Sequence, residues 1–214
     1  MQSRTKNILT IRFSADAEVN SFLNTIQDGE NPFSFKKILQ LSDDPKVNES
    51  RSDLLAYATI KHFGTDPRNY KPDGLAEMMK NYFHFYGWQV MSDSVEEPEA
   101  VKVDVDGEHY VHIEFNTKDH TPSPIMAALS FLFSKEMLYV KYASNDIAAY
   151  EDPLMLRKCG FYRCKAGHFT EGFGLRGYEA AEEACRMWGY TLSDYVSEGV
   201  VNGKYRVFWH KHKA

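Results

Sequence analysis

The sequence predicts an α+β protein in which helices pack on an antiparallel sheet, and three observations carry that expectation. Val101, Val103 and Val105 alternate with Lys102 and Asp104 up to Asp106-Gly107, and Tyr110 to Phe115 alternate again beyond it, the period-two signature of a hairpin. Helical runs, with apolar residues three and four apart, interleave with such strands along the chain. Several strands are apolar on one side only, which favours an antiparallel sheet over a parallel one covered on both faces. A ferredoxin-like sandwich with an inserted helical segment fits these elements best.

In chain order, residues 7–13 form an apolar-polar run ending at Ser14, a suitable N-cap, after which Val19, Phe22, Leu23 and Ile26 recur at helical spacing until Asp28-Gly29. Phe33 to Ile38 reads as a second strand, followed by a polar loop through Pro45 to Ser50. A helix is expected from Ser52 to Phe63, closed by Gly64, and another from Gly74 to Tyr86, closed by Gly87-Trp88. The latter carries Leu75, Met78, Met79, Tyr82 and Phe83, a stripe of core type, within an insertion expected around residues 71–100. Glu96-Glu97-Pro98-Glu99 reads as a solvated acidic loop. After the hairpin, Thr121-Pro122-Ser123-Pro124 starts a helix with Ile125, Met126, Leu129, Leu132 and Phe133 inward. Residues 137–142 read as a strand and 143–177 as an irregular, glycine-containing, locally basic stretch. An Ala- and Glu-rich helix is expected over 178–188, ended by Gly189. A short helix over 192–198 and a strand or tight hairpin over 200–209, around Asn202-Gly203, complete the chain. All 214 residues are read as one domain.

Aromatic residues make up 14% of the chain, so large rings must supply much of the burial. The formal net charge of −5 argues against a broad positive field, which ranks nucleic acid below other partners and leaves room for a local basic patch only. No window approaches the ~18–20 apolar residues of a membrane span, and Met1 to Lys6 is polar, so neither a membrane nor export is expected. Sparse cysteines, 3 in number, suit a reducing compartment, and the chain is read as cytoplasmic.

Cys159, Cys164, His168 and Cys185 come nearest to a zinc set, because thiolates and imidazole in tetrahedral array are what structural zinc takes. Their spacing is looser than a zinc knuckle's, and Cys185 shares the inner face of its helix with Ala181 and Trp188, so buried thiols are expected and no metal or cofactor is assigned. Gly172-Phe173-Gly174-Leu175-Arg176-Gly177 has the Gly-x-Gly-x-x-Gly form and leads into a helix. Residues 167–171 do not read as the buried parallel strand of a dinucleotide fold, which leaves an anion site at the helix start or a flexible glycine loop.

His168-Phe169-Thr170 has the His-x-Thr form of two-histidine phosphoesterases, whose imidazoles act as acid and base across a phosphodiester. That mechanism needs two copies, and His112-Ile113-Glu114 and His210-Lys211-His212 lack the hydroxyl. No nucleophile elbow, Walker loop or His-Glu-x-x-His pair occurs, so no catalytic residues are assigned. Arg157, Lys158, Arg163, Lys165 and Arg176 are interleaved with Phe161, Tyr162, Phe169 and Phe173, and cations beside stackable rings are what a nucleotide or a single strand requires. With His168, Thr170, Gly172 and Gly174, these cations make up the candidate ligand site.

Two stretches resemble the YubB-type ferredoxin-like domain of phage and plasmid proteins. His62-Phe63-Gly64-Thr65-Asp66-Pro67-Arg68-Asn69-Tyr70 is similar to that family's Trp-Gly-Thr-Lys-Trp-Asn signature. Ile113 to Thr117, Pro122-Ser123-Pro124, Leu129-Ser130 and Phe133 to Tyr142 resemble its strand, turn, helix and following strand. The likeness covers about half of the chain and lacks the family's signature tryptophans. It implies a mobile-element accessory protein in the host cytoplasm and carries over no catalytic residues. The leading expectation is therefore a non-enzymatic protein that captures a host protein or a small nucleotide-like anion, for instance to blunt a host defence. A nucleotide or phosphodiester hydrolase using His168 and Thr170 is the first alternative, and a single-stranded nucleic-acid-binding module the second.

Overall fold

The computed structural model describes residues 3–38, 90–91, 94–95, 97–118, 121–151, 158–166 and 168–210. The helices expected over 52–63 and 74–86, and most of the insertion expected around 71–100, lie outside these residues. The elements are β1 (Arg4–Arg12), α1 (Asp16–Ile26), α2 (Phe35–Ile38), β2 (Val90–Met91), β3 (Ser94–Val95), β4 (Glu99–Val105), β5 (Tyr110–Lys118), α3 (Ser123–Leu132), β6 (Leu138–Ser144), β7 (Cys159–Lys165), β8 (His168–Gly174), α4 (Gly177–Trp188), β9 (Val196–Val201) and β10 (Lys204–Trp209). Short 3-10 turns span Ile147–Glu151 and Leu192–Asp194.

Six strands form one sheet in the order β4-β5-β1-β6-β7-β8, each neighbouring pair antiparallel. The first four, with α1 between β1 and β4 and α3 between β5 and β6, reproduce the split βαβ arrangement of a ferredoxin-like sandwich. The expected α+β antiparallel class holds. Beyond that unit, β7 and β8 widen the sheet, and α4 and the β9–β10 hairpin follow. Among the described residues, no helix is long and apolar enough to cross a membrane.

Alternation decides which side of the sheet is buried. Thr5, Asn7, Leu9 and Ile11 of β1, Val111, Ile113 and Phe115 of β5, and Leu138 and Val140 of β6 face α1 and α3. From the helices, Val19, Phe22 and Ile26, and Ile125, Met126 and Leu129, close that core. Phe22 sits at its centre, with ring centroids 5.2 Å from Phe13 and 5.0 Å from Phe133, a tilted and an edge-on contact.

A second core lies on the opposite face at one end of the sheet. There Ala180, Ala181, Ala184 and Cys185 bring α4 close over Ala143 and Cys159, with Ile147, Tyr150 and Val196 around them. The Tyr150 hydroxyl accepts from the Ser144 amide at 2.9 Å and shares its proton between the carbonyls of Ser144 and Lys158, which ties β6 to the start of β7.

Several local expectations are corrected, among them the short helix over 192–198, of which only a 3-10 turn at Leu192–Asp194 forms before β9 begins at Val196. Ser14 does not cap α1. The cap position is Ala15, and the Ser14 amide, one residue before it, instead donates to the Glu18 carboxylate at 2.9 Å. Phe33 to Ile38 is no strand, since Phe35–Ile38 is the short helix α2. Glu97 is no part of a solvated loop, for its carboxylate accepts from the amides of Phe35 (2.7 Å) and Lys36 (2.9 Å) and from the Ser34 hydroxyl (2.9 Å). A carboxylate at the start of α2 satisfies the amides a strand would have given to its neighbour, which is why this apolar run turns into a helix.

Finally, residues 159–165 and 168–174 are not irregular but form β7 and β8. Period two was hidden because β7 buries Cys159 on one face and Tyr162 and Cys164 on the other. Glycine serves close approach here: a Cβ on Gly160 would lie 2.2 Å from the Phe173 carbonyl oxygen. By contrast the Asn202-Gly203 turn is as expected, with both residues at positive φ (54° and 73°) between β9 and β10.

Candidate ligand face

The face of the sheet turned away from α1 and α3 carries the side chains that the core does not use. Strand register sets them in two rows across the sheet. One row runs Phe173, Phe161, Lys141, Ile8, Glu114 and Lys102, from β8 through β7, β6, β1 and β5 to β4. The next runs Arg163, Tyr139, Thr10, His112 and Asp104, with Glu171 in register opposite Arg163. Beyond it Arg12 pairs with Tyr110.

Three rings of this face are open to solvent, Phe173 at 57%, Tyr139 at 44% and Phe161 at 41%. Phe161 and Phe173 lie side by side with centroids 6.1 Å apart. The Arg163 guanidinium sits 4.8 Å from the Tyr139 centroid and that of Arg12 sits 5.1 Å from Tyr110, so cations hold two rings in place. Tyr110 stacks at 6.0 Å on His112, whose Nδ1 is 3.1 Å from the Thr10 hydroxyl. Exposed rings among fixed cations make a surface that accepts flat, anionic groups.

Charge is distributed unevenly. Arg4, Lys6, Arg12, Lys141, Arg163 and Lys165 project from this face, as do Lys102 and Lys118 towards its β4 edge. Arg4 pairs with Glu99 at 2.9 Å and Lys6 with Glu114 at 3.0 Å, and with Asp104 and Glu183 these carboxylates are still fewer than the cations, although the whole chain carries −5. A local positive field therefore survives on an acidic molecule.

One end of the face is covered by α4. Glu183 of α4 pairs with Lys141 and, at 2.7 Å, with Arg186. Burial opposes the Glu183 carboxylate, but the hydrogen bonds from Arg186 and Lys141 outweigh it and hold its pKa below the ordinary value. Trp188 donates its indole N–H to the Ala143 carbonyl at 3.0 Å, and the Lys6 ammonium lies 5.1 Å from its ring. Lys141 of the Phe161 row is thus held by α4, while the Phe161, Phe173 and Tyr139 rings remain open to solvent.

The sequence-derived candidates separate on this frame. Arg163 and Lys165 lie on the open face. Lys158 precedes β7 with its ammonium 4.0 Å from Asp146, and Arg176 is the exposed cap residue of α4. Arg157 lies outside the described residues, as do the side chains of His168 and Thr170, whose backbone belongs to β8. Gly172 and Gly174 pair in register with Tyr162 and Gly160, so the front of the glycine motif is an edge strand and not a loop folded around a phosphate. Tyr139, Lys141, Arg12 and His112 were not among the candidates. The signal for them was outward alternation, of Tyr139 and Lys141 within the strand expected over 137–142, of His112 within 110–115 and of Arg12 within 7–13.

Among the described residues, neither a zinc set nor a facing pair of histidines is brought together. Cys159 and Cys164 belong to separate cores on opposite faces of β7, so one ion cannot take both. Burial pushes the Cys159 thiol up to about 12 and that of Cys164 up to about 11, far from the thiolate form. Among the described residues, no three of His, Cys, Asp and Glu stand together as metal ligands. His112 lies on β5, four strands from the backbone of His168 on β8, too far for the two to flank one phosphodiester.

No family model matches the chain, and no curated protein matches it in sequence. Among solved structures, the crystal structure of a protein api92 from Yersinia pseudotuberculosis, of the DUF1281 family, is similar at a TM-score of 0.39 and 8% identity, over 82% of this chain and 98% of that one. A likeness at that level carries no functional argument.

Proposed function

We propose that this chain is a non-catalytic binding protein whose open sheet face holds a nucleotide-like anion. The observation that carries the reading is the coincidence of three exposed rings, Tyr139, Phe161 and Phe173, with Arg163, Lys165 and Arg12 on one face of an otherwise acidic molecule. Rings left in water on a sheet are a cost unless something flat covers them, and cations beside them select a ligand bearing phosphate. The mobile-element setting implied by the resemblance is part of this proposal, with the ligand drawn from the host cell. Capture of a host protein is the lesser reading, because the face mixes fixed cations with its rings instead of presenting a continuous apolar patch.

Titration calorimetry of the full chain with nucleoside monophosphates, the matching nucleosides and inorganic phosphate tests the reading. Nucleotides should bind more tightly than either half alone, and Tyr139→Ala and Arg163→Ala should each weaken them. Equal binding by wild type and both variants would place the ligand elsewhere.

A further inference from the structure

Resting on that reading, we infer that the ligand is a single-stranded nucleic acid laid across the strands, and not a lone nucleotide. The two rows of ligand-facing groups run from Phe173 on β8 to His112 on β5, a distance of four inter-strand steps. At about 4.8 Å per step that is about 19 Å, more than one nucleotide covers and enough for several backbone phosphates. Rings and cations share the path: Phe173 beside Phe161, then Tyr139 under Arg163, with the exposed Lys165 beyond Arg163 on β7, then Tyr110 under Arg12. Bases have π-faces that rings hold without regard to sequence, while the phosphates between them meet the Arg163 and Arg12 guanidinium groups and the Lys165 ammonium. A mononucleotide would use one ring and one cation and leave the rest of the row exposed.

A duplex does not fit the same groups, because its bases are stacked on one another and unavailable to Tyr139 or Phe161. Neutralising about three phosphates of a single strand predicts that log K falls with log salt at a slope of about −2, or roughly 20-fold between 50 and 200 mM.

The test is fluorescence anisotropy of the full chain with 5′-labelled oligo-dT and oligo-U of ten nucleotides, competed by UMP, TMP and a ten-base-pair duplex. Single strands should bind far more tightly than the mononucleotides and the duplex, with the salt slope above. Phe161→Ala and Tyr139→Ala should each weaken them by about 5- to 150-fold, the effect of one lost stacking contact. Lys204→Ala, on the separate β9–β10 hairpin, should bind like wild type, and far-ultraviolet circular dichroism checks that each variant is folded. The DNA and RNA arms decide which sugar is preferred. Mononucleotides that bind as tightly as the decamers would overturn the single-strand inference and leave the nucleotide reading standing. Equal binding of the duplex would also overturn it, and no binding by any of these would overturn both.

Discussion

Glu97 offers a sharp test of the packing argument, since a solvated acidic loop and a buried helix-start anchor predict different costs for its removal. Its carboxylate accepts from the amides of Phe35 and Lys36 at 2.7 and 2.9 Å and from the Ser34 hydroxyl at 2.9 Å, between two segments 61 to 63 residues apart in sequence. Hydrogen bonds to a charged group contribute about 1.5–3 kcal/mol each, and the loss of a helix cap about 1 kcal/mol, but contacts sharing one carboxylate are not additive. Glu97→Ala leaves partly buried amides unpaired, so a total of about 2–4 kcal/mol follows, whereas a solvated residue costs under about 0.5 kcal/mol. For a chain of 214 residues, about 3 kcal/mol corresponds to a fall in Tm of about 6–12 °C. Glu97→Gln keeps an acceptor without the charge and should fall between wild type and Glu97→Ala. Urea unfolding followed by tryptophan fluorescence, with calorimetry for Tm, measures both. A Glu97→Ala midpoint within about 0.5 kcal/mol of wild type would refute the anchoring role.

Other consequences are open to the same methods. Phe22→Ala removes a fully buried ring that touches Phe13 and Phe133, and a loss of about 3–5 kcal/mol is expected in the same urea titration. Gly160→Ala forces a Cβ to 2.2 Å from a backbone oxygen, so β8 should loosen from β7, read as faster amide exchange over 168–174. The buried thiols give a pH dependence of defined sign. Unfolded, Cys159 and Cys164 deprotonate near pH 9, but folded they hold their protons to about 12 and 11, so the native state binds more protons in that window. Stability should therefore fall as pH rises above about 9, by up to about 1.4 kcal/mol per unit for each thiol, and the native protein should resist a thiol reagent at pH 8 that labels it once unfolded.

How much of this was legible in the sequence follows the range of the forces involved. The 101–115 hairpin, the helix after Pro122, the Ala-rich helix ended by Gly189 and the Asn202-Gly203 turn all declare themselves within a few residues, since alternation, capping and positive φ are local properties. The basic, aromatic segment around 155–177 was also visible as a place where a ligand could sit, and Arg163, Lys165, Phe161 and Phe173 do lie on the open face. What remained hidden depends on partners distant in the chain. Phe33 to Ile38 becomes a helix only because Glu97 arrives to take its amides. Strands β7 and β8 escape notice because β7 buries Cys159 on one face and Tyr162 and Cys164 on the other, and because glycine is demanded by a neighbour's carbonyl oxygen. Above all, Thr10, His112, Tyr139 and Arg163 form one row only through the antiparallel pairing of β5, β1, β6 and β7. Alternation says that Thr10, His112 and Tyr139 point outward from some strand, and for Arg163, in a stretch read as irregular, it does not say even that. Only the register of pairing, set by burial of the opposite face, places their side chains next to one another.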